Sequence, residues 1–166
     1  RVRSSAASDV YKRQVIIICK GLNAMNILFM LHPKSTVDFL YDDETMRRGL
    51  SKLRECGYTA LPVITRDGIY VGTVSEGDFL RVMLENNLYS ADAQEDYVIS
   101  DLIRQGWNPP LRVTAPMDEL LLQVMDQNFL PIVDDRGCFA GIITRKDIIK
   151  YFYDKSFSAE KTAETI

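Results

Sequence analysis

The chain repeats itself, and this limits its fold more than any other feature. Leu61-Pro62-Val63-Ile64 returns as Leu130-Pro131-Ile132-Val133. Asp67-Gly68 returns as Arg136-Gly137, and Gly72-Thr73-Val74-Ser75-Glu76-Gly77-Asp78 as Gly141-Ile142-Ile143-Thr144-Arg145-Lys146-Asp147. Each pair lies 69 positions apart. Upstream, Leu50 and Leu53 match Leu122 and Met125 at a spacing of 72, so the second copy is three residues shorter at its helix-to-strand joint. A unit of roughly 60 residues has too little interior to be comfortably stable alone. Two such units are expected to pack on each other with pseudo-twofold symmetry and share a core.

Each copy reads as strand, helix, strand, turn, strand, helix, an α/β (α+β) pattern. In the first, Phe39–Tyr41 is a short strand, and Asp42 to Thr45 supply capping signals. Met46, Leu50 and Leu53 then share one helix face, and Gly57 ends that helix. Ala60–Thr65 and Ile69–Val74 are strands around the turn Arg66-Asp67-Gly68, and a helix runs from Glu76 to about Leu88. The second copy gives strand Leu111–Thr114, helix Met117–Gln127 and strand Leu130–Asp134. Strand Phe139–Ile143 follows, then a helix from Arg145 to about Tyr153. The expected organisation is a leader at 1–24, a first motif with an N-terminal helix at 25–88 and a linker at 89–110. A second motif at 111–154 and a flexible tail at 155–166 complete it.

Composition narrows the functions. Lys and Arg number 20 against 23 Asp and Glu, a net charge of −3. The basic excess of a nucleic-acid-coating protein is missing. Arg1 to Gln14 (RVRSSAASDVYKRQ) has no apolar period, and the leader as a whole reads as non-native, with Met25 as the natural start. Removing its five bases and one acid leaves 15 bases against 22 acids, a net of −7. Anionic ligands must then be held by a few placed groups rather than by bulk field. Val15–Ile18 is too short an apolar run to span a membrane. Three cysteines, Cys19, Cys56 and Cys138, fit neither a disulfide framework nor a zinc spacing and suit a reducing cytoplasm. With His32 as the single histidine, a multi-histidine metal site is excluded. Asp42-Asp43-Glu44 and Asp134-Asp135 read as cap and turn acids rather than metal ligands.

The β-α-β-β-α unit, the Leu-Pro strand, and the Gly-x-x-Ser/Thr-x-x-Asp ending, twice in order, resemble a pair of CBS domains, the Bateman module. The resemblance covers Met25 to Asp154. Gly57-Tyr58-Thr59-Ala60-Leu61-Pro62 and Asn128-Phe129-Leu130-Pro131 resemble the stand-alone bacterial CBS proteins that bind cyclic di-AMP. It implies regulatory adenine-nucleotide binding without catalysis, a homodimer, and signalling to a regulated partner protein of unknown identity. No nucleic acid, membrane, metal or resident cofactor is implied; the ligand is cyclic di-AMP, AMP, ADP or ATP.

The same resemblance assigns two ligand sets. The favoured one joins Thr36, Asp38, Leu40, Tyr58, Thr59 and Ala60 to Ile142, Thr144, Arg145 and Asp147. The weaker one joins Pro110, Arg112, Asn128 and Phe129 to Thr73, Ser75 and Asp78. In it the Asp takes ribose hydroxyls and the Ser or Thr faces ribose or phosphate. An acid at position 38, where the family carries a small residue, is a departure. Each residue also has a plain structural reading. Ser75-x-x-Asp78 and Thr144-x-x-Asp147 are capping boxes, Tyr58 can be packing, and Arg145 with Lys146 can be surface charge. Arg145 and Lys146 begin a helix, where the dipole disfavours cations, and a bound phosphate would reverse that penalty. Glu76 and Gly77 replace them in the first copy, so the two sites are expected to be unequal. His32 is expected at a helix end, Trp107 as a linker anchor, and Met83, Met117 and Met125 in the core.

Two other functions stay open: a ligand-free dimerisation and interaction scaffold, and a nucleotide-hydrolysing enzyme. Against the enzyme, the chain has neither a nucleophile elbow nor a P-loop. If the leader is dispensable, a chain starting at Met25 folds with an unchanged melting temperature. A sharp drop in circular-dichroism melting would refute that.

Overall fold

The computed structural model describes residues 27–163; the leader at 1–24, Met25 and Cys19 lie outside them. The elements alternate as the repeat requires. A 3-10 turn, Ile27–Met30, leads into β1 (His32–Pro33) and a second 3-10 turn, Lys34–Thr36. The first copy is β2 (Leu40–Tyr41), α1 (Met46–Cys56), β3 (Ala60–Ile64), β4 (Tyr70–Ser75) and α2 (Glu76–Asn86). The linker carries α3 (Ala91–Glu95) and a 3-10 turn, Ile99–Leu102. The second copy is β5 (Leu111–Arg112), α4 (Met117–Val124), β6 (Phe129–Val133), β7 (Phe139–Thr144) and α5 (Arg145–Ala163).

Local chemistry explains the boundaries. Thr45 caps α1 by accepting from Arg48 N–H, and Gly57 closes it in the left-handed conformation, φ +68°. Asn87 closes α2 at φ +56°. The shortening of the second copy falls in its first helix, eight residues in α4 against eleven in α1. The final helix runs ten residues past the expected end near Tyr153, as far as Ala163. No Gly or Pro interrupts residues 145–163, and Lys, Glu and Ala there are good helix formers. His32 belongs to strand β1, not to a helix end, because Pro33 cannot continue a helix and the strand finds an edge on β7.

Two sheets result. One has the order β2-β3-β4, the other β1-β7-β6-β5. In both copies the short first strand runs parallel to the Leu-Pro strand, Leu40 opposite Val63 and Leu111 opposite Ile132. A helix makes each crossover. Pro62 is tolerated in a central strand because β2 pairs with β3 only at Val63 and Ile64.

The chain divides into two compact bodies. Among the described residues, one comprises His32–Arg112 with Pro131–Ile142, and the other Val113–Leu130 with 143–163 and 27–31. The hairpin of the second copy therefore groups with the first copy. Its turn is the reason. Tyr70 N–H donates to Gly137 O (3.1 Å) and Phe139 N–H donates to Gly68 O (2.8 Å), flanking an Ile69–Cys138 bridge. Tyr70 stacks on Phe139 with 6.1 Å between centroids.

In the first body Leu40, Met46, Leu61, Val63, Val74, Phe79 and Ile99 form a buried core. In the second, Leu120, Leu130, Ile143 and Ile148 are buried. Met83 packs against the first core, whereas Met125, expected in the core, is 37% exposed at the end of α4. α4 ends one turn sooner than α1, which leaves Met125 at its cap.

The recurring glycine of the motif is a steric requirement. A Cβ on Gly141 would lie 2.0 Å from the His32 carbonyl oxygen, and one on Gly72 would lie 2.5 Å from Ile103 Cγ2. Gly141→Ala is expected to cost about 3–5 kcal/mol, since backbone must move. Gly57→Ala, with open space around its Cβ, should cost about 1–2 kcal/mol for the left-handed backbone alone. Urea unfolding of both variants checks the order; an equal loss contradicts it.

Candidate functional site

The two Ser/Thr-x-x-Asp motifs share a hydroxyl-to-carboxylate hydrogen bond across the helix start. In the first copy Ser75 N–H and Ser75 Oγ both donate to Asp78 Oδ2, at 2.9 and 2.6 Å. In the second, Thr144 Oγ1 accepts from Asp147 N–H at 3.2 Å and donates to the Asp147 carboxylate. Each helix start is also tied to the residue before the Leu-Pro strand. Glu76 N–H donates to Thr59 O (3.0 Å), and Arg145 N–H donates to Asn128 O (2.9 Å). Donor and acceptor are again 69 positions apart from their counterparts. Capping is therefore real in both copies, and it arrays hydroxyl, carboxylate and strand-entry residues at one place.

Within the first body, Ala60 pairs with Ser75 and Pro62 with Thr73 across β3 and β4, so Thr59, Ala60, Ser75 and Glu76 lie together. Tyr58 is 58% exposed beside them. Thr36, Asp38, Pro110 and Arg112 are exposed; Ala60 and Ser75 are half-buried. Leu40, expected to line a ligand, is fully buried in the core opposite Val63 and has no surface to offer one. Thr73 is also buried. Its hydroxyl is bonded to Tyr70 Oη (2.8 Å) and accepts from Asn108 Nδ2 (3.2 Å). Burial pushes the Tyr70 phenol up, with the Thr73 contact pulling the other way.

Asp78 departs most from the simple motif. It is 2% exposed. Arg104 Nε lies 2.7 Å from Oδ1, and Arg81 Nη2 lies 3.5 Å from the same oxygen. Burial raises the carboxyl, but the Ser75 hydrogen bonds and the Arg104 guanidinium outweigh it and hold it below the ordinary value. Arg104 also lies 3.9 Å over the ring of Trp107, three residues further along the same linker. Sequence reasoning missed Arg104, and no spacing or motif marks it.

In the second body, Thr144, Arg145 and Asp147 are half-buried, Asn128 and Lys146 exposed. Arg145 Nε donates to Gln127 O at 3.0 Å, which draws the guanidinium toward the strand entry. On α1 and α2, Leu50, Leu53, Phe79, Leu80 and Met83 line an apolar cavity of about 440 Å³, with Arg54 and Glu76 also in its wall. Among the described residues no cluster of metal-ligating side chains occurs, and no helix is long and apolar enough to cross a membrane.

The doubled strand-helix-strand-strand-helix unit with its twin capped motifs now has a family. A model described as the CBS domain matches residues 8–85 and 99–154, so the chain belongs to the CBS-domain family as a CBS pair. A crystal structure of CbpB in complex with c-di-AMP is similar at 25% identity and a TM-score of 0.76, covering 89% of this chain and 99% of that one. CbpB from Streptococcus agalactiae is similar at 26% identity and a TM-score of 0.69, covering 80% and 81%. Among curated proteins, an A-adding tRNA nucleotidyltransferase of Aquifex aeolicus is 28% identical over 117 residues. That match spans 70% of this chain but 13% of the relative's length.

The depressed Asp78 carboxyl predicts acid sensitivity. Its folded value lies below its unfolded one, so its stabilising contribution is complete above the unfolded value. It is lost as pH falls through the folded value. The urea midpoint should fall between pH 6 and pH 2.5, and by less in Asp78→Asn. Parallel pH profiles for the two proteins would contradict this.

Proposed function

We propose that this CBS pair is a regulatory adenine-nucleotide sensor, cytoplasmic and not an enzyme, whose ligand is cyclic di-AMP. The likeness to CbpB in complex with c-di-AMP, over nearly the whole of both chains, carries the reading. The twice-made Ser/Thr-x-x-Asp helix start supports it, since free N–H groups and a nearby hydroxyl suit phosphate and ribose. The motif of the second copy is the stronger candidate. Arg145 stands at the first helical position there, where Glu76 stands in the first copy. Phosphate is attracted by the first and repelled by the second. The ligand state is passed to a partner protein, and a second copy of the chain covers the apolar face of α1 and α2, where Leu80 and Leu84 are more than half exposed.

A thermal-shift panel of c-di-AMP, AMP, ADP and ATP tests the ligand class. A ligand at 100 times its dissociation constant stabilises by about 2.7 kcal/mol. No shift with any of them would favour a ligand-free scaffold, and turnover would favour an enzyme. Arg145→Ala should weaken binding about ten- to a hundredfold, the loss of one charge-assisted contact. Asp147→Ala should weaken it as well, and Asp78→Asn should weaken it less. Calorimetry reads all three; a greater loss at Asp78 than at Asp147 would reverse the assignment of the loaded motif.

A further inference from the structure

The first copy's motif is already occupied from within the chain. The Asp78 side chain is 3% exposed and is held by four hydrogen bonds and an ion pair. Oδ2 accepts from Ser75 N–H (2.9 Å), Ser75 Oγ (2.6 Å) and Arg104 Nη2 (3.3 Å). Oδ1 accepts from Arg81 Nη2 (3.5 Å) and lies 2.7 Å from Arg104 Nε in an ion pair. Buried under these contacts, the carboxylate offers a ribose hydroxyl no open approach while the guanidinium stays in place. The Ser75 contacts belong to the helix start itself. The Arg104 contacts do not: they come from the linker, 26 residues on, with the guanidinium addressing both oxygens. That guanidinium lies on the Trp107 ring, and its side chain is 42% exposed, so it has solvent to swing into.

A second linker residue acts on the same strand. Asn108 is 2% exposed, in the left-handed region at φ +54°, and its Nδ2 donates to Thr73 Oγ1 two residues before Ser75. Its Oδ1 is buried without a hydrogen-bond partner. The linker thus covers the first motif at two points, one ionic and one neutral.

We propose that Arg104 is an internal gate on the first motif: its guanidinium takes the place of a nucleotide's ribose on Asp78, and a ligand enters there only by displacing it. This rests on the nucleotide reading of the Ser/Thr-x-x-Asp motif. Ribose hydroxyls are neutral donors, whereas the guanidinium meets both carboxylate oxygens as a tethered full charge, with one charge-assisted hydrogen bond and one ion pair. The first motif therefore stays empty at concentrations that fill the second. When a ligand does enter, Arg104 leaves Asp78 and Trp107 together, and the linker from Ile103 to Pro110 is released. The gate converts a second binding event into a linker movement.

Calorimetry of the full chain with c-di-AMP tests it. The wild type should take one equivalent per chain in its tight step. Arg104→Gln, which keeps reach but removes charge, should tighten the weaker step by about tenfold or more. Trp107→Ala keeps the cation but removes the ring it lies on, and should shift binding the same way by less. Trp107 is the sole tryptophan. In the wild type its emission should therefore change as the weaker site fills, a readout that needs no variant. Unchanged stoichiometry and affinities in a folded Arg104→Gln or Trp107→Ala chain overturn the gate but leave the nucleotide reading standing. A second equivalent bound with flat Trp107 emission does the same. No saturable heat from any of the three proteins with c-di-AMP, AMP or ATP overturns both.

Discussion

Two hairpin turns 69 residues apart hydrogen-bond to each other, and much of the molecule follows from that contact. Tyr70 and Phe139 are repeat equivalents, as are Gly68 and Gly137, and each donor reaches the other copy's glycine carbonyl. The arrangement is self-complementary: one contact made twice, as at an isologous interface, but inside one chain. Both glycines have positive φ, +89° and +82°, which lets the turns fold tightly enough to bring their carbonyls forward. The stacked Tyr70 and Phe139 rings add apolar area at the same place. The bridge also explains why the hairpin Pro131–Ile142 belongs to the same compact body as the first copy.

The second constraint is the glycine at the centre of each motif strand. Gly141 lies against the β1 backbone, and Gly72 against Ile103 of the linker. In both copies a foreign segment is pressed onto the strand that leads into the Ser/Thr-x-x-Asp helix. In the second copy that segment is a strand from the start of the described chain; in the first it is the linker that carries Arg104.

The twin motifs show how a helix start can be closed by its own side chains. Serine or threonine and aspartate close the helix start on themselves, so the arrangement is preorganised. What differs is the charge around it. Asp78 is buried under Arg104 and Arg81, while the second helix begins with Arg145, drawn toward Gln127 O. Glu76 against Arg145 is one difference in charge between the copies, and a linker arginine that the repeat does not contain is another.

The repeat, the order of elements, the Gly57 stop, the turn glycines and both capping motifs were legible in the sequence. Each depends on a local rule: hydrophobic period, backbone freedom at glycine, or side-chain-to-backbone bonding within four residues. The family resemblance drew on the same positions. Tertiary structure alone decided the rest. It made His32 a strand, because the edge of β7 was available to pair with. It buried Leu40, which a period-two reading of a short strand does not distinguish from a site wall. It left Met125 exposed, because α4 stops a turn early. Above all it brought Arg104 onto Asp78, 26 residues away, through a linker whose path no local propensity encodes. Short-range interactions fix what each segment becomes; which charges meet is settled only when the segments pack, since that depends on long-range geometry.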